Sequence, residues 1–301
     1  MDIFSKLLDK AEEHSIFIDE SKLEHDYLPH KLPYREKELS LLAQVFLPIL
    51  VPRSGCSKNI LITGNSGIGK TATLKLFGKI LKNVAKKREI SLTCVFLNCR
   101  CKSSSYKILI KIISSIRQNF PKRGYSSQDL LDIIKEFLEL DNTYLLIILD
   151  ELTHLIENDK DLLYSLTRLN DDSLFSRFNL SIIGIIRDIS CLHSLDSGTL
   201  STLQKNIIQF RNYSNEQIYD ILKYRADLSF RKNVISEGLI RLVSDATNIE
   251  GDIRYGLNLL WKAGKIAEGK NLSKITKECI ELAYQEVFHL KNTPLENVSK
   301  K

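Results

Sequence analysis

No stretch of this chain stays apolar for the roughly 18 residues a membrane span requires, so no membrane-spanning helix is expected. The opening segment, MDIFSKLLDKAEEHS, mixes acids with bases and has no apolar core. That excludes a secretory leader and points to the cytoplasm. The six cysteines include no C-x-x-C pair. Cys99-Arg100-Cys101 is C-x-C with no histidine cluster behind it, which is not the spacing of a zinc or dithiol redox site, and the cysteines read as reduced thiols. Internal repeats and low-complexity segments are also missing. What is present is ordinary for a globular protein: 301 residues, 43% hydrophobic and 27% charged, enough for one large domain and a small one. The formal net charge of +6 permits contact with nucleic acid without requiring it. Lys79, Lys82, Lys86, Lys87 and Arg88 follow helical spacing and read as a solvated helix end.

The chain divides by pattern. Residues 2–14 read as a short amphipathic helix, with Ile3, Leu7 and Leu8 on one side, and 16–34 as an extended arm punctuated by Pro29 and Pro33. Residues 35–50 are helical by apolar spacing, and 52–57 form a loop. Strands and helices then alternate. Asn59–Thr63, Leu92–Leu97, Tyr144–Leu149 and Leu180–Ile186 are short apolar strands. Helices fall between them, to about Ala85, over 106–119, over 128–138 behind a Ser127 cap, and over 162–169. The continuous apolar runs are those of strands buried on both faces, and the alternation predicts a parallel sheet covered by helices. After Asn212 no strand pattern remains. Helical periodicity runs to about Leu290, with turns near Asn233, Gly251 and Gly269. The expected organisation is an N-terminal arm (1–34), an α/β domain (35–212), a small all-α domain (213–291) and a disordered tail (292–301).

Gly64-Asn65-Ser66-Gly67-Ile68-Gly69-Lys70-Thr71 matches G-x-x-x-x-G-K-[ST] between a strand and a helix, the context a P-loop requires. Glycines let successive backbone N–H groups turn toward phosphates, and the helix N-terminus, entered through Ala72, adds its positive dipole. Lys70 is placed for the β- and γ-phosphates, and Thr71 for Mg²⁺. Asp150-Glu151 ends the apolar run 145–149, at the strand end where open α/β sheets bind ligands. Asp150 is the second candidate Mg²⁺ ligand, and Glu151 the candidate general base for an attacking water. The expected cofactors are therefore ATP or ADP with Mg²⁺.

Further stretches carry a resemblance. Leu32-Pro33-Tyr34-Arg35-Glu36-Lys37-Glu38-Leu39, Asn98-Cys99-Arg100, the run Leu162–Asn170 (LLYSLTRLN), and Gly251-Asp252-Ile253-Arg254 with Leu259-Leu260 and Ala263-Gly264 together resemble the archaeal origin-recognition and cell-division-control replication-initiator ATPases of the AAA+ superfamily. The likeness covers roughly residues 16–290. It implies an AAA+ P-loop domain followed by a helical lid, with Tyr34 and Arg35 beside the adenine and Arg254 as a sensor arginine of the lid that reports ATP. Three departures stand out. Arg187 occupies the place of a polar sensor, usually Asn, after the strand 180–186. Asp196-Ser197-Gly198-Thr199 replaces the Asp-Pro-Arg-Val that supplies an arginine finger. The winged-helix DNA-binding domain that usually follows the lid is not in the sequence, as in either a natural short form or a truncated one.

The resemblance implies a replication initiator that works as an ATP-dependent switch on double-stranded origin DNA, with weak ATPase activity. Other initiator or helicase subunits would be its partners, in a homo- or hetero-oligomer. A regulatory adaptor of replication that has lost direct origin reading is the alternative, separated by whether the purified chain binds duplex DNA. The stretch 162–170 and the lid motif argue against a third class, the helicase loaders and transposition ATPases. Lys102, Lys107, Lys111, Arg117, Lys122 and Arg123, in the region where the family inserts a DNA-touching helical element, are candidate phosphate contacts.

Overall fold

The computed structural model describes residues 15–51, 57–101, 104–140, 143–169, 180–203 and 206–292. The expected helix 2–14, most of the loop 52–57, Lys102, Asn170 and all but the first residue of the tail lie outside them. The chain forms two compact units, residues 35–211 and residues 1–34 with 212–301.

The first unit is α/β. Its elements are α1 (Glu36–Phe46), β1 (Asn59–Thr63), α2 (Lys70–Lys87), β2 (Leu92–Asn98), α3 (Ser105–Ile116), α4 (Ser127–Leu140), β3 (Tyr144–Asp150), α5 (Leu152–Asn158), α6 (Lys160–Arg168), β4 (Leu180–Ile185), α7 (Ser197–Leu203) and β5 (Ile207–Gln209). The strands lie in the order β2-β3-β4-β1-β5, all parallel. Every residue of β3 and β4 is buried, which is why their sequences are apolar throughout rather than alternating. Successive side chains still serve opposite layers. Val95, Leu97, Leu145, Ile147 and Leu149 join one core cluster with α3 and α4. On the other layer, Lys75 of α2 stands over the Phe96 ring, Cys94 approaches the Gly78 carbonyl at 3.9 Å, and Phe77 packs on Phe46 of α1 at 5.4 Å. Fully buried leucines and isoleucines of this kind contribute about 1.5–3 kcal/mol each.

The structure revises several expectations. Helix α1 stops at Phe46 and a 3₁₀ turn, Leu47–Leu50, carries Pro48 at its start, since proline offers no N–H to continue an α-helix. Helix α4 is capped by Ser126 rather than Ser127. Ser126 Oγ accepts from Asp129 N at 3.1 Å while Ser126 N donates to Asp129 Oδ2 at 2.7 Å, a reciprocal capping pair. Short elements α5, α7 and β5 complete the unit where no periodicity announced them.

The second unit is helical: α8 (Asn215–Ser229), α9 (Glu237–Glu250), α10 (Ile253–Gly269) and α11 (Lys277–Asn292). Ser214 and Gln217 form a capping box at the start of α8. Gly251 ends α9 in the left-handed conformation at φ 69°, the usual glycine stop. The turn expected at Gly269 is made two residues later by Asn271, at φ 53°. Leu222, Val243, Leu259, Leu260 and Ala263 are fully buried at its centre.

Residues 15–34 do not stand apart as an arm; they complete this core. Phe17 forms an antiparallel bridge with Phe230, their rings 4.8 Å apart. Arg225 of α8, buried, donates to the carbonyls of Lys22 at 2.5 Å and Glu24 at 2.7 Å, and burial brings its guanidinium down to about 10. Trp261 Nε1 donates to Glu20 Oε2 at 3.2 Å.

Candidate functional site

Strands β1, β3 and β4 deliver their carboxyl ends side by side, and the residues singled out in the sequence between 64 and 72, at 150–151 and at 187 follow those ends. Parallel strands make this automatic, because every carboxyl end lies on one edge.

The loop after β1 needs glycine for a stated reason. Gly64 has φ 140°, and a Cβ there would sit 2.6 Å from the Phe210 carbonyl oxygen. Gly69 is left-handed at φ 87° and caps α2. Ile68 points inward and is buried, while Asn65 is exposed and Ser66 and Gly67 are partly so. Lys70, 8% exposed, curls back so that Nζ donates to the Gly64 and Asn65 carbonyls at 2.6 Å each. An ammonium held at the centre of a ring of backbone is poised to trade those carbonyls for a stronger anionic partner. Thr71 and Ala72 open the first turn of α2.

Thr71 Oγ1 donates to Asp150 Oδ2 at 2.8 Å, joining residues 79 positions apart. Asp150 is 8% exposed. Burial raises its carboxyl above the ordinary carboxylate range, opposed by the Thr71 hydroxyl bond and the Glu151 backbone bond. Glu151 N donates to Asp150 Oδ1 at 2.9 Å, and Glu151 itself is left-handed at φ 54° as the cap of α5. A non-glycine residue in that conformation is strained, and such strain clusters at functional sites. Arg187 Nη2 lies 3.2 Å from Glu151 Oε1. A threonine hydroxyl and an aspartate carboxylate in contact are the hard oxygen donors that suit Mg²⁺, so the donor set fits the expected metal.

Arg35 takes a place the sequence did not foretell. It is 3% exposed and donates to the Ile68 carbonyl at 2.7 Å and the Arg211 carbonyl at 3.1 Å. It pairs with Glu38 at 2.9 Å and lies 5.0 Å from the centre of the Phe210 ring. It thus ties α1, the loop and the end of β5 together through their backbone. Its neighbour Tyr34 belongs to the helical unit, left-handed at φ 64°, and donates to Asp220. Arg254, half-exposed in the first turn of α10, lies on Asp252. Its Nε and Nη2 donate to the two carboxylate oxygens at 3.1 and 3.0 Å, and the same carboxylate caps the helix through Arg254 N at 2.9 Å. The structure therefore brings residues 64–72, Asp150, Glu151, Arg187 and Arg35 into one unit, and puts Tyr34 and Arg254 in the other.

The other sequence landmarks are local. Asn98 Oδ1 accepts from Arg100 N at 2.9 Å and Cys101 N at 3.3 Å, closing the turn after β2. Burial pushes the Cys99 thiol up to about 12, so it is no thiolate nucleophile. Gly198 lies in α7, where a side chain would meet the Arg168 guanidinium 2.8 Å away.

Residues 31–183 match the AAA ATPase domain and residues 219–285 the Cdc6 AAA+ ATPase-type lid domain. The ORC1-type DNA replication protein 1 of Archaeoglobus fulgidus is 32% identical over 288 residues, covering 95% of this chain and 69% of that protein. Among solved structures, the Aeropyrum pernix ORC1 protein in complex with DNA is 29% identical, with a TM-score of 0.81 over 93% of this chain and 74% of that one. Cdc6p from Pyrobaculum aerophilum is 25% identical, with a TM-score of 0.79 over 93% of this chain and 76% of that one. By its P-loop domain, its lid and these relatives, the chain belongs to the ORC1/Cdc6 family of AAA+ ATPases, the ORC1-type DNA replication proteins.

Proposed function

We propose that the chain is a replication initiator that binds ATP with Mg²⁺ at residues 64–72 and Asp150, hydrolyses it slowly, and uses the bound nucleotide as a switch on double-stranded origin DNA. One observation carries the reading: the Thr71–Asp150 contact at 2.8 Å beside a buried Lys70. Mg²⁺ bound by Thr71 and Asp150 would supply the positive charge that neutralises the phosphates. Lys70 exchanges the Gly64 and Asn65 carbonyls for phosphate oxygens. The loop N–H groups and the N-terminus of α2 complete the cradle. Arg35 keeps the loop in shape through the Ile68 carbonyl. Glu151 orients the attacking water and takes its proton. The family resemblance assigns Arg254 the role of the lid's sensor arginine and Tyr34 a role in adenine binding. Slow turnover follows from Asp196-Ser197-Gly198, which has no finger arginine for a neighbouring subunit's nucleotide; a finger accounts for a large share of phosphoryl-transfer rate.

DNA enters through the relatives. The Aeropyrum protein was solved with DNA, and this chain is proposed to take the same partner in the cytoplasm, together with other initiator or helicase subunits. Lys107, Lys111, Arg117, Lys122 and Arg123 are all exposed and would meet phosphates, which fix position but carry no sequence information directly.

The test is Lys70→Ala with a fluorescent ATP analogue. Binding should be abolished. Unchanged affinity would remove residues 64–72 as the nucleotide site.

A further inference from the structure

Arg187 sits between two parts of the site. It follows β4, the strand between β3 and β1. Its backbone is fastened to β1: Ile186 N donates to the Ile62 carbonyl at 2.9 Å, and Thr63 Oγ1 to the Arg187 carbonyl at 3.3 Å. Thr63 immediately precedes Gly64. Its guanidinium faces the other way along the strand ends, with Nη2 3.2 Å from Glu151 Oε1. Glu151 does not depend on that contact for its position, because the left-handed cap of α5 and the bond from its N–H to Asp150 set its backbone. Among the described residues Arg187 is the one cation paired with the Glu151 carboxylate.

Resting on the nucleotide reading above, we propose that Arg187 is a latch on Glu151. It pairs with the carboxylate when no triphosphate is bound and leaves it for the terminal phosphate of ATP. The base is then released only when there is a phosphate to attack. ADP lacks the γ-phosphate, so the pair survives in its presence. The residue type matters. An amide could orient water but could not neutralise a carboxylate, whereas a guanidinium serves carboxylate and phosphate alike, through the same planar fork. Arg187 is a positioning residue in this scheme: it acts on the reaction by holding or freeing Glu151.

The latch has a thermodynamic signature separate from turnover. Breaking the pair is part of the cost of binding ATP and no part of the cost of binding ADP, so the two partners compete for one cation. The pair is open to solvent, with Arg187 59% and Glu151 35% exposed, so it is worth little, and its removal should change affinity by roughly two- to fivefold.

The experiment is calorimetric titration of the full chain with Mg²⁺ and either a non-hydrolysable ATP analogue or ADP. The proteins are the parent, Glu151→Gln, Arg187→Gln and the double variant. Glu151→Gln should bind the analogue roughly two- to fivefold more tightly and ADP unchanged. Arg187→Gln should weaken the analogue and spare ADP, and Arg187→Lys should restore part of the preference for the triphosphate. In the Arg187→Gln background, Glu151→Gln should add nothing, the coupling a double-mutant cycle isolates. If Glu151→Gln tightens the analogue equally with and without Arg187, simple loss of negative charge explains it and the latch is wrong. Equal weakening of ADP and analogue by Arg187→Gln would likewise overturn it, by showing a structural role. A parent chain that binds neither nucleotide would overturn the site reading itself, and the latch with it.

Discussion

In the helical unit, cations meet carboxylates: Lys223 with Glu237, Arg241 with Glu216, Lys262 with Glu286, Lys265 with Glu20, Lys270 with Glu278. In the α/β unit, Arg35 pairs with Glu38 and Arg187 with Glu151. One supports the loop 64–71 and the other holds the candidate base. Helix α2 carries Lys75, Lys79, Lys82 and Lys86 on one face at three- and four-residue steps, all exposed and none paired with a carboxylate among the described residues. Neighbouring like charges at that spacing oppose the helix slightly. In the helical unit the paired cations meet carboxylates of the same unit. The α/β unit gathers the Lys70 ammonium, the loop backbone and the buried Asp150 carboxylate at the candidate site. Exposed pairs contribute only about 0–1 kcal/mol each, so the helical unit is held by its apolar centre and not by its ion pairs.

That contrast can be broken at several strengths. Glu151→Gln should lower steady-state ATP turnover by about 10²–10⁴-fold, the usual share of a general base, with nucleotide binding retained. Hydrolysis at the parent rate would mean that the base lies elsewhere. In the other unit, Leu260→Ala should cost about 2–5 kcal/mol by opening a cavity where Leu260 is fully buried. The chain has one tryptophan, Trp261 in α10, so urea unfolding followed by its fluorescence reads the helical unit. An unchanged midpoint would refute the core assignment.

Removing Lys122 and Arg123 together should weaken duplex DNA binding for any sequence and flatten the slope of log affinity against log salt by about 1.8, at roughly 0.9 per lost phosphate contact. Removing the paired Lys223 and Arg241 should leave that slope where it was. Equal effects from both double variants would erase the distinction between the units.

The smallest effect concerns Asp150. Its carboxyl lies above the usual 3.8 because burial disfavours the charged form. The folded chain therefore keeps a proton that the unfolded chain releases. Stability falls as pH rises from the unfolded value through the raised folded one, and the cost persists above it. Asp150→Asn removes that cost. The nucleotide- and Mg²⁺-free variant should melt higher than the parent at pH 7, with the gain shrinking as pH falls toward 4. A variant less stable than the parent at pH 7 would show that the carboxylate is held by more than it loses to burial.

Local signals and long-range ones separate cleanly here. The loop 64–71 needs eight consecutive residues, and the acidic pair follows directly on its own apolar run, so both could be read before any fold was known. Strands β3 and β4 were readable for the same reason, since full burial leaves a continuous apolar run. Helices α5 and α7, seven residues each, are too short to show a helical period. Strand β5 is three residues long with one buried side chain between two exposed ones, which no pattern distinguishes from a loop. The sequence reading put the cap of α4 at Ser127, and only the reciprocal bonds between Ser126 and Asp129 move it to Ser126.

The sequence alone determined the candidate phosphate loop, the acidic pair, the parallel α/β class and the all-helical remainder. Each depends on residues adjacent in the chain, or on a period that burial imposes on one element. The tertiary structure decided what depends on distant partners. It buried Arg35 against the Ile68 carbonyl, 33 positions away. It packed residues 15–34 into the helical core through Phe17 and Phe230, and it paired Arg187 with Glu151. No local pattern encodes those contacts, because they arise only when separate strand ends and helices are brought together by burying the apolar surface between them.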